Sequence, residues 1–265
     1  MNVYIPSRSR FTRSTTLEAI QGQWPGRVFL VCPVRQIKQY GTLADRHGVI
    51  LLPCEKDGIA LTRRFCGIHA QRTGEKRMLM LDDDLRFFHR PSDDVRLYKF
   101  DDSAARLPNG MNKMLCHVDT ILRQYVHAAI SAREGNNRLR YPLHECNRPL
   151  RALAFQVEPF LACKHGRVAI MEDFDVALQL LRAGHKNAII TRFSQDQLQT
   201  QAAGGCSDYR TQQLQAENVV KMSKLHAGFI KLRQKENKGG GDFGTRQEAT
   251  IYWQRAWESA QKEWL

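Results

Sequence analysis

The sequence lacks the features of a membrane or secreted protein. No stretch approaches the roughly 18 consecutive apolar residues that suggest a membrane-spanning helix. The first residues, Met1 to Pro6, lack the basic and apolar regions of a signal peptide. We therefore expect a cytoplasmic protein with no membrane partner.

Cysteine is present without any paired pattern. The seven cysteines are scattered singly, and none forms a C-x-x-C motif, which argues against a structural zinc site. An odd number of cysteines in a chain of this size favours reduced thiols over a disulfide framework.

Acidic residues are the minority charge. Forty Lys and Arg stand against 27 Asp and Glu, for a net charge of +13 and a pI near 9.6. A merely soluble basic protein could show this balance, but a pI above about 9 is a recognised footprint of nucleic-acid binding. Anionic nucleotides would be attracted too, although they need only a few cations. We favour a polyanionic partner.

Short apolar segments alternate with amphipathic ones. The 265 residues and 42% apolar content allow a sizeable core. We predict strands at 2–6, 28–32, 49–52, 78–81, 152–157, 168–171 and 187–193. We predict helices at 36–46, 58–71, 109–133 and 172–182. This alternation predicts an α/β fold, Rossmann-like, with a mostly parallel, doubly wound sheet flanked by helices.

The composition of the sequence changes near residue 200. A glycine-containing loop at 203–207 precedes a basic helical stretch at 212–235, a glycine-rich linker at 238–242 and a closing helix at 246–265. We predict a single domain over 1–265, with a core of about 1–200 and a basic C-terminal helical extension of about 201–265.

Three adjacent carboxylates, Asp82, Asp83 and Asp84, follow the apolar run 78–81 directly. They should lie where a buried strand leaves the core, at the mouth of an α/β sheet where ligands bind. Three adjacent aspartates could also lie in an ordinary surface turn. However, three like charges repel one another, and a divalent metal carrying a phosphorylated ligand would offset them. The placement matches the D-x-D arrangement of glycosyltransferases with the GT-A fold, in which the metal neutralises a diphosphate leaving group.

That match implies a role for each acid. Asp84 is the main expected metal ligand, and Asp82 faces the ribose or the metal. Asp83 belongs to the donor site but points away from the ion.

A second acidic motif, Glu172 and Asp173, opens the predicted helix 172–182. Acids in a first helical turn are also favoured by the helix dipole alone. An inverting transferase needs a carboxylate base to take the proton from the acceptor hydroxyl. We prefer Asp173 as that base, with Glu172 as the second choice.

Other residues could complete such a site. His226, in a basic stretch, could join Asp84 and Asp82 at the metal, although a lone histidine is also compatible with a structural role. Basic and small residues could hold the nucleotide or close over it. These candidate donor-binding residues are Pro6, Ser7, Arg8, Arg10, Arg63, Gly204 and Gly205.

Together these motifs resemble the TET-associated glycosyltransferases of bacteriophages. The resemblance is carried by 82–84, by 171–175 with 181–184, by 201–206 and by 226–229. That family resembles GT-A enzymes and attaches sugars to 5-hydroxymethylpyrimidines in phage DNA. It implies a nucleotide-sugar donor, preferably a UDP-sugar, a Mn²⁺ or Mg²⁺ ion, and hydroxymethylated duplex DNA as acceptor. The resemblance also implies 5-hydroxymethylcytosine as the preferred base and, for a phage-encoded protein, the host cytoplasm as its location.

Three alternatives stay open. The protein could be a glycosyltransferase for a small or cell-envelope acceptor, a metal-dependent nuclease using its carboxylates in a two-metal site, or a non-catalytic DNA-binding module. Neither the sugar nor the stereochemical outcome nor the oligomeric state can be read from the sequence.

Overall fold

A computed structural model describes residues 1–90, 109–133, 141–197, 211–235 and 246–262. The strands are β1 (Asn2–Pro6), β2 (Val28–Pro33), β3 (Ile50–Cys54), β4 (Arg77–Leu81), β5 (Leu85–His89), β6 (His127–Ala132), β7 (Leu143–Glu145), β8 (Ala152–Gln156), β9 (Asn187–Gln197), β10 (Ile230–Lys235) and β11 (Arg246–Ile251). The helices are α1 (Thr15–Ile20), α2 (Ile37–His47), α3 (Ile59–Arg72), α4 (Gly110–Ile121), α5 (Val157–Ala162), α6 (Glu172–Arg182), α7 (Gln212–Leu225) and α8 (Trp253–Lys262).

A nine-stranded sheet forms the centre of the described structure. Its order is β3-β2-β1-β4-β8-β6-β9-β5, with β7 paired to β9. The α/β prediction is confirmed, but the sheet is mixed rather than mostly parallel. The parallel pairs are β1–β2, β2–β3, β1–β4 and β6–β9. The antiparallel pairs are β4–β8, β6–β8, β5–β9 and β7–β9.

The short connection after β4 explains where β5 lies in the mixed sheet. Parallel neighbours need a crossover of a dozen or more residues. Only the turn 82–84 separates β4 from β5, so β5 cannot lie parallel beside β4. It pairs instead with β9 at the sheet edge.

Apolar side chains pack on both faces of the sheet. Leu79 and Leu81 of β4 lie in a cluster with α1, α2 and α4. Met78 and Met80 lie in a second cluster with α3, α5 and α6. The alternation of a fully buried strand therefore explains why both faces carry helices.

Several predicted elements were wrong. The predicted helix 109–133 ends at Ile121, and His127–Ala132 is strand β6, with all six residues buried. Its small side chains fit between β8 and β9, and this packing overrides the helical spacing. Residues 168–171 form no strand, and both α1 and β5 were missed.

The C-terminal part is not purely helical either. The basic stretch 212–235 is a helix only to Leu225, and it turns at Gly228 (φ +85°) into β10. The predicted closing helix begins as strand β11. Within the described ranges, no helix combines the length and the apolar character needed to cross a membrane.

Candidate active site

The acidic turn 82–84 joins β4 to β5 at the carboxyl end of β4, and helix α1 holds it in place. Thr16, fully buried, donates its hydroxyl to the carbonyl of Asp82 (2.6 Å) and accepts from the amide of Leu85 (2.9 Å). Ser14, the N-cap of α1, donates to the carbonyl of Asp83 (2.7 Å). The helix start is thus bonded to the backbone that presents the acids.

Arg10 offsets two of the three acids. Its Nη1 donates to Asp83 Oδ1 (2.7 Å) and to Asp84 Oδ2 (2.8 Å). Ser7 also bonds Asp83, and the Tyr40 hydroxyl lies 2.9 Å from Ser7 and accepts from the Arg10 amide at 3.1 Å. The loop after β1 is therefore bonded directly to the acidic turn, and Tyr40 of α2 holds the loop from its other side.

Arg63 joins the two acidic motifs. This buried side chain on α3 donates from Nη1 to Glu172 Oε1 (2.5 Å) and from Nη2 to Asp82 Oδ1 (3.1 Å). Asp82 and Glu172 lie far apart in the sequence, yet one guanidinium contacts both. The two motifs that the sequence predicted as one site are brought together.

The acids are incompletely compensated. Burial raises the pKa of Asp82 to about 6, against the attraction of Arg63. Burial also raises the pKa of Glu172 to about 7, with Arg63 opposing and Asp173 adding to the rise. The pKa of Asp83 is raised by burial too, although Arg10 and Ser7 lower it. A pocket that disfavours ionised carboxylates is one in which a further cation would bind favourably.

Glu172 and Asp173 occupy the first turn of α6, where the helix dipole favours acids. Both line a cleft between α3, α5 and α6, together with Arg63, His165 and Gly166. Asp173 Oδ1 accepts from the amide of Phe174 (2.9 Å). Its other carboxylate oxygen makes no hydrogen bond with the described residues.

Three residues with left-handed backbone border the acids. They are Ser9 (φ +59°), Arg151 (φ +57°) and Met171 (φ +67°). Ser9 precedes Arg10, the Arg151 carbonyl accepts from the Asp82 amide (3.2 Å), and Met171 precedes Glu172. Such conformations cost about 1–3 kcal/mol each and cluster at functional sites.

His226 lies elsewhere, fully buried beyond the far end of α7. Its Nε2 is 2.8 Å from Asp175 Oδ1, and its Nδ1 is 3.4 Å from Arg182 Nη1. Burial would raise the pKa of Asp175, but hydrogen bonds from His226 and Arg167 outweigh it and lower that pKa. The structure therefore pairs His226 with α6 and not with the acidic turn.

The remaining predicted residues are placed as follows. Pro6 ends β1, and among the described acids Arg8 reaches only the exposed Asp57, at 3.9 Å. Gly204 and Gly205 lie outside the described residues. No sequence pattern points to Thr16 or Tyr40, nor to Gln197, which donates to Asp84 Oδ1 at 3.0 Å.

The acidic turn fits a divalent metal by its chemistry. Among the residues described, no group of three or more His, Cys, Asp or Glu side chains is arranged to hold an ion. Mg²⁺ is commonly bound by one or two carboxylates together with substrate phosphates and water. The partly exposed Asp82 and Asp84 supply such a pair.

Several solved structures resemble the chain at low similarity. A protein from Desulfovibrio desulfuricans G20, described as a nucleotide-diphospho-sugar transferase, is 9% identical, with a TM-score of 0.46, covering 84% of this chain and 97% of that one. S. aureus TarS 1-349 in complex with UDP is 10% identical, with a TM-score of 0.46, covering 84% and 65%. The inositol-1-phosphate CTP transferase from T. maritima is 9% identical, with a TM-score of 0.39, covering 86% and 96%. Structural similarity at these TM-scores and identities supports no conclusion about function.

The sequence itself gives the assignment. No curated protein matches the chain. The model of the TET-Associated Glycosyltransferase family matches residues 1–205, which include both acidic motifs and Arg63. This confirms the resemblance found in the sequence: the chain belongs to the TET-associated glycosyltransferases and is a glycosyltransferase.

Proposed function

We propose that this protein transfers a sugar from a nucleotide sugar to a 5-hydroxymethylpyrimidine in phage DNA. The expected base is 5-hydroxymethylcytosine, and the expected donor is a UDP-sugar. The observation that carries the proposal is the double contact of Arg63 with Asp82 and Glu172. Through this contact one side chain bonds both Asp82, which we assign to the donor side, and Glu172, which we assign to the acceptor side.

The acidic turn is the donor side. Asp84 and Asp82 would hold a Mn²⁺ or Mg²⁺ ion, which when bound neutralises the diphosphate leaving group. Arg10 lies against Asp83 and Asp84 at the same turn. A guanidinium at this position suits phosphate oxygens, because its fork of N–H groups matches their geometry.

The start of α6 is the acceptor side. Asp173 takes the proton from the hydroxymethyl oxygen, which forms a bond to the anomeric carbon of the sugar. The bond from that carbon to the diphosphate oxygen breaks, and the nucleoside diphosphate leaves. We assign the base role to Asp173 because Glu172 is already engaged by Arg63. Glu172 positions the helix start.

Charge supports a DNA acceptor. The net charge of +13 favours a polyanion over a neutral acceptor. A base buried in a duplex cannot reach a cleft lined by helices, so the target base is flipped out of the stack.

Co-expression with a DNA-hydroxymethylating enzyme tests the proposal. Mass spectrometry of the digested DNA should then show a nucleoside carrying one sugar. Unmodified nucleosides throughout would overturn the DNA acceptor. Two further assays separate the alternatives. Sugar transfer to a non-DNA acceptor but not to DNA would identify a glycosyltransferase with a different acceptor. Nicking of plasmid DNA without any sugar donor would identify a nuclease.

A further inference from the structure

Strands β10 and β11 form a two-stranded antiparallel ribbon that stands apart from the main sheet. Their register pairs Ile230 with Ile251, Lys231 with Thr250 and Arg233 with Glu248. The end nearest the domain is anchored, because Ile230 and Ile251 pack against the cluster formed by α6, α7 and α8. The backbone also closes there, with the Tyr252 amide donating to the Phe229 carbonyl (2.9 Å).

Beyond this anchor strand β10 is solvated. Residues 231–234 of β10 are all exposed, whereas residues 247–251 of β11 are half-buried. Strand β10 pairs only with β11 within the described part of the chain. An uncovered strand edge invites unwanted pairing with other chains unless charged side chains or a binding partner protect it. The exposed edge of β10 therefore calls for one of these two forms of protection.

The end of α7 and strand β10 carry charge of one sign, and β11 brings one acid, Glu248, opposite Arg233. Residues 219–235 contain five Lys or Arg and no Asp or Glu. Lys231 and Arg233 lie on one face of β10, since they are two residues apart. Lys221 and Lys224 are exposed on α7, which packs against both strands. None of these four side chains makes an ion pair with the described residues.

We propose that this ribbon is a duplex-DNA contact, in which Lys231 and Arg233 bind backbone phosphates. A two-stranded ribbon fits the major groove, which is about 12 Å wide. Phosphate contacts position a protein on DNA without reading sequence. The ribbon lies beyond residues 1–205, so it adds a contact outside the part that matches the family. The proposal rests on the proposed function for the choice of DNA as the polyanion.

Binding of the full chain to a fluorescein-labelled, unmodified 30-base-pair duplex tests the ribbon directly. Fluorescence anisotropy is measured over a series of salt concentrations, without any sugar donor. The double variant Lys231→Gln/Arg233→Gln should weaken binding at about 0.15 M salt by about thirtyfold, because each lost phosphate contact removes about 0.9 from the slope of log affinity against log salt. The slope should therefore shrink by about 1.8. Lys38→Gln/Arg72→Gln, which neutralises two exposed cations on α2 and α3, is the matched control and should leave both values unchanged.

Either of two results would overturn the ribbon contact. One is an unchanged salt slope in the ribbon variant, and the other is an equal loss in the control. Vesicles containing phosphatidylserine form a parallel arm: a ribbon-dependent loss on vesicles with none on DNA would assign the ribbon to a membrane surface instead. The anisotropy needs neither donor nor hydroxymethylated base, so it can fail while sugar transfer succeeds, and it can succeed while transfer fails.

Discussion

Arg63 Nη1 lies 2.5 Å from Glu172 Oε1, across 109 residues of sequence. The same buried guanidinium bonds Asp82, so its removal leaves two half-buried carboxylates without their shared cation. Breaking a buried ion pair by deleting one partner costs about 3–5 kcal/mol. We expect Arg63→Met to lower the free energy of unfolding in urea by about that amount, and to abolish sugar transfer.

The neighbouring Arg64 is exposed and offers a matched control. Arg64→Met should change the free energy of unfolding by less than about 0.5 kcal/mol, as surface substitutions usually do. If Arg63→Met and Arg64→Met unfolded at the same urea concentration, the bridging role of Arg63 would be wrong.

Thr16 provides a test of how the acidic turn is held. Its hydroxyl satisfies the Asp82 carbonyl and the Leu85 amide, both at the turn. Thr16→Val keeps the shape of the side chain and removes both hydrogen bonds. Leaving buried backbone groups unpaired costs about 1–3 kcal/mol each, so we expect a loss of about 2 kcal/mol or more in thermal or urea unfolding. Thr15→Val, one residue earlier, should cost far less.

Much of this arrangement could be predicted from the sequence. The run 78–81 was predicted as a buried strand, and Glu172–Arg182 was predicted with the bounds it has. The two acidic motifs and Arg63 were all chosen as site residues. Their type and placement carried that signal, because acidic side chains are almost never buried unless they are paired.

The rest depends on tertiary contacts that leave no local pattern. Thr16 acts through a carbonyl and an amide nearly 70 residues away, which no spacing rule reveals. The strand His127–Ala132 continues a helical spacing of apolar residues, and only its position between β8 and β9 decides its conformation. Part of the positive charge that offsets the acidic turn, which the sequence pattern led us to expect from a metal ion, comes from Arg10 and Arg63.

Glu172 predicts a pH dependence of stability. Burial raises its pKa from 4.5 to about 7, so between these values the native state holds a proton that the unfolded chain has released. The contribution of this group is therefore complete below about pH 4.5 and is lost as the pH rises through about 7. Glu172→Gln removes the titration, so its free energy of unfolding relative to the wild type should rise across this window, measured in urea with EDTA.

Glu158→Gln serves as the control for that series, because Glu158 is exposed on α5. Its difference from the wild type should stay flat with pH. A difference for Glu172→Gln that falls with rising pH would contradict the assigned direction.

Substitutions at His226 distinguish a structural role of this side chain from a metal-binding one. The buried contact with Asp175 predicts that His226→Ala lowers the free energy of unfolding by about 2 kcal/mol or more, since a charged acceptor loses its donor. We expect the affinity for Mn²⁺, followed by electron paramagnetic resonance, to stay unchanged. His226→Gln, which can still donate to Asp175, should recover part of the stability. A loss of Mn²⁺ affinity with full stability would instead make His226 a metal ligand.

The most direct test of the whole account is sugar transfer to duplex DNA containing 5-hydroxymethylcytosine by the purified protein. The reaction contains Mn²⁺ and a panel of nucleotide sugars, and the digested nucleosides are identified by mass spectrometry. We predict a glycosylated nucleoside with at least one donor, a loss of at least about a hundredfold in rate for Asp84→Asn, and an unchanged rate for Asp45→Asn, whose carboxylate is exposed on α2. Product formed equally by Asp84→Asn, or no product with any donor, would contradict the account.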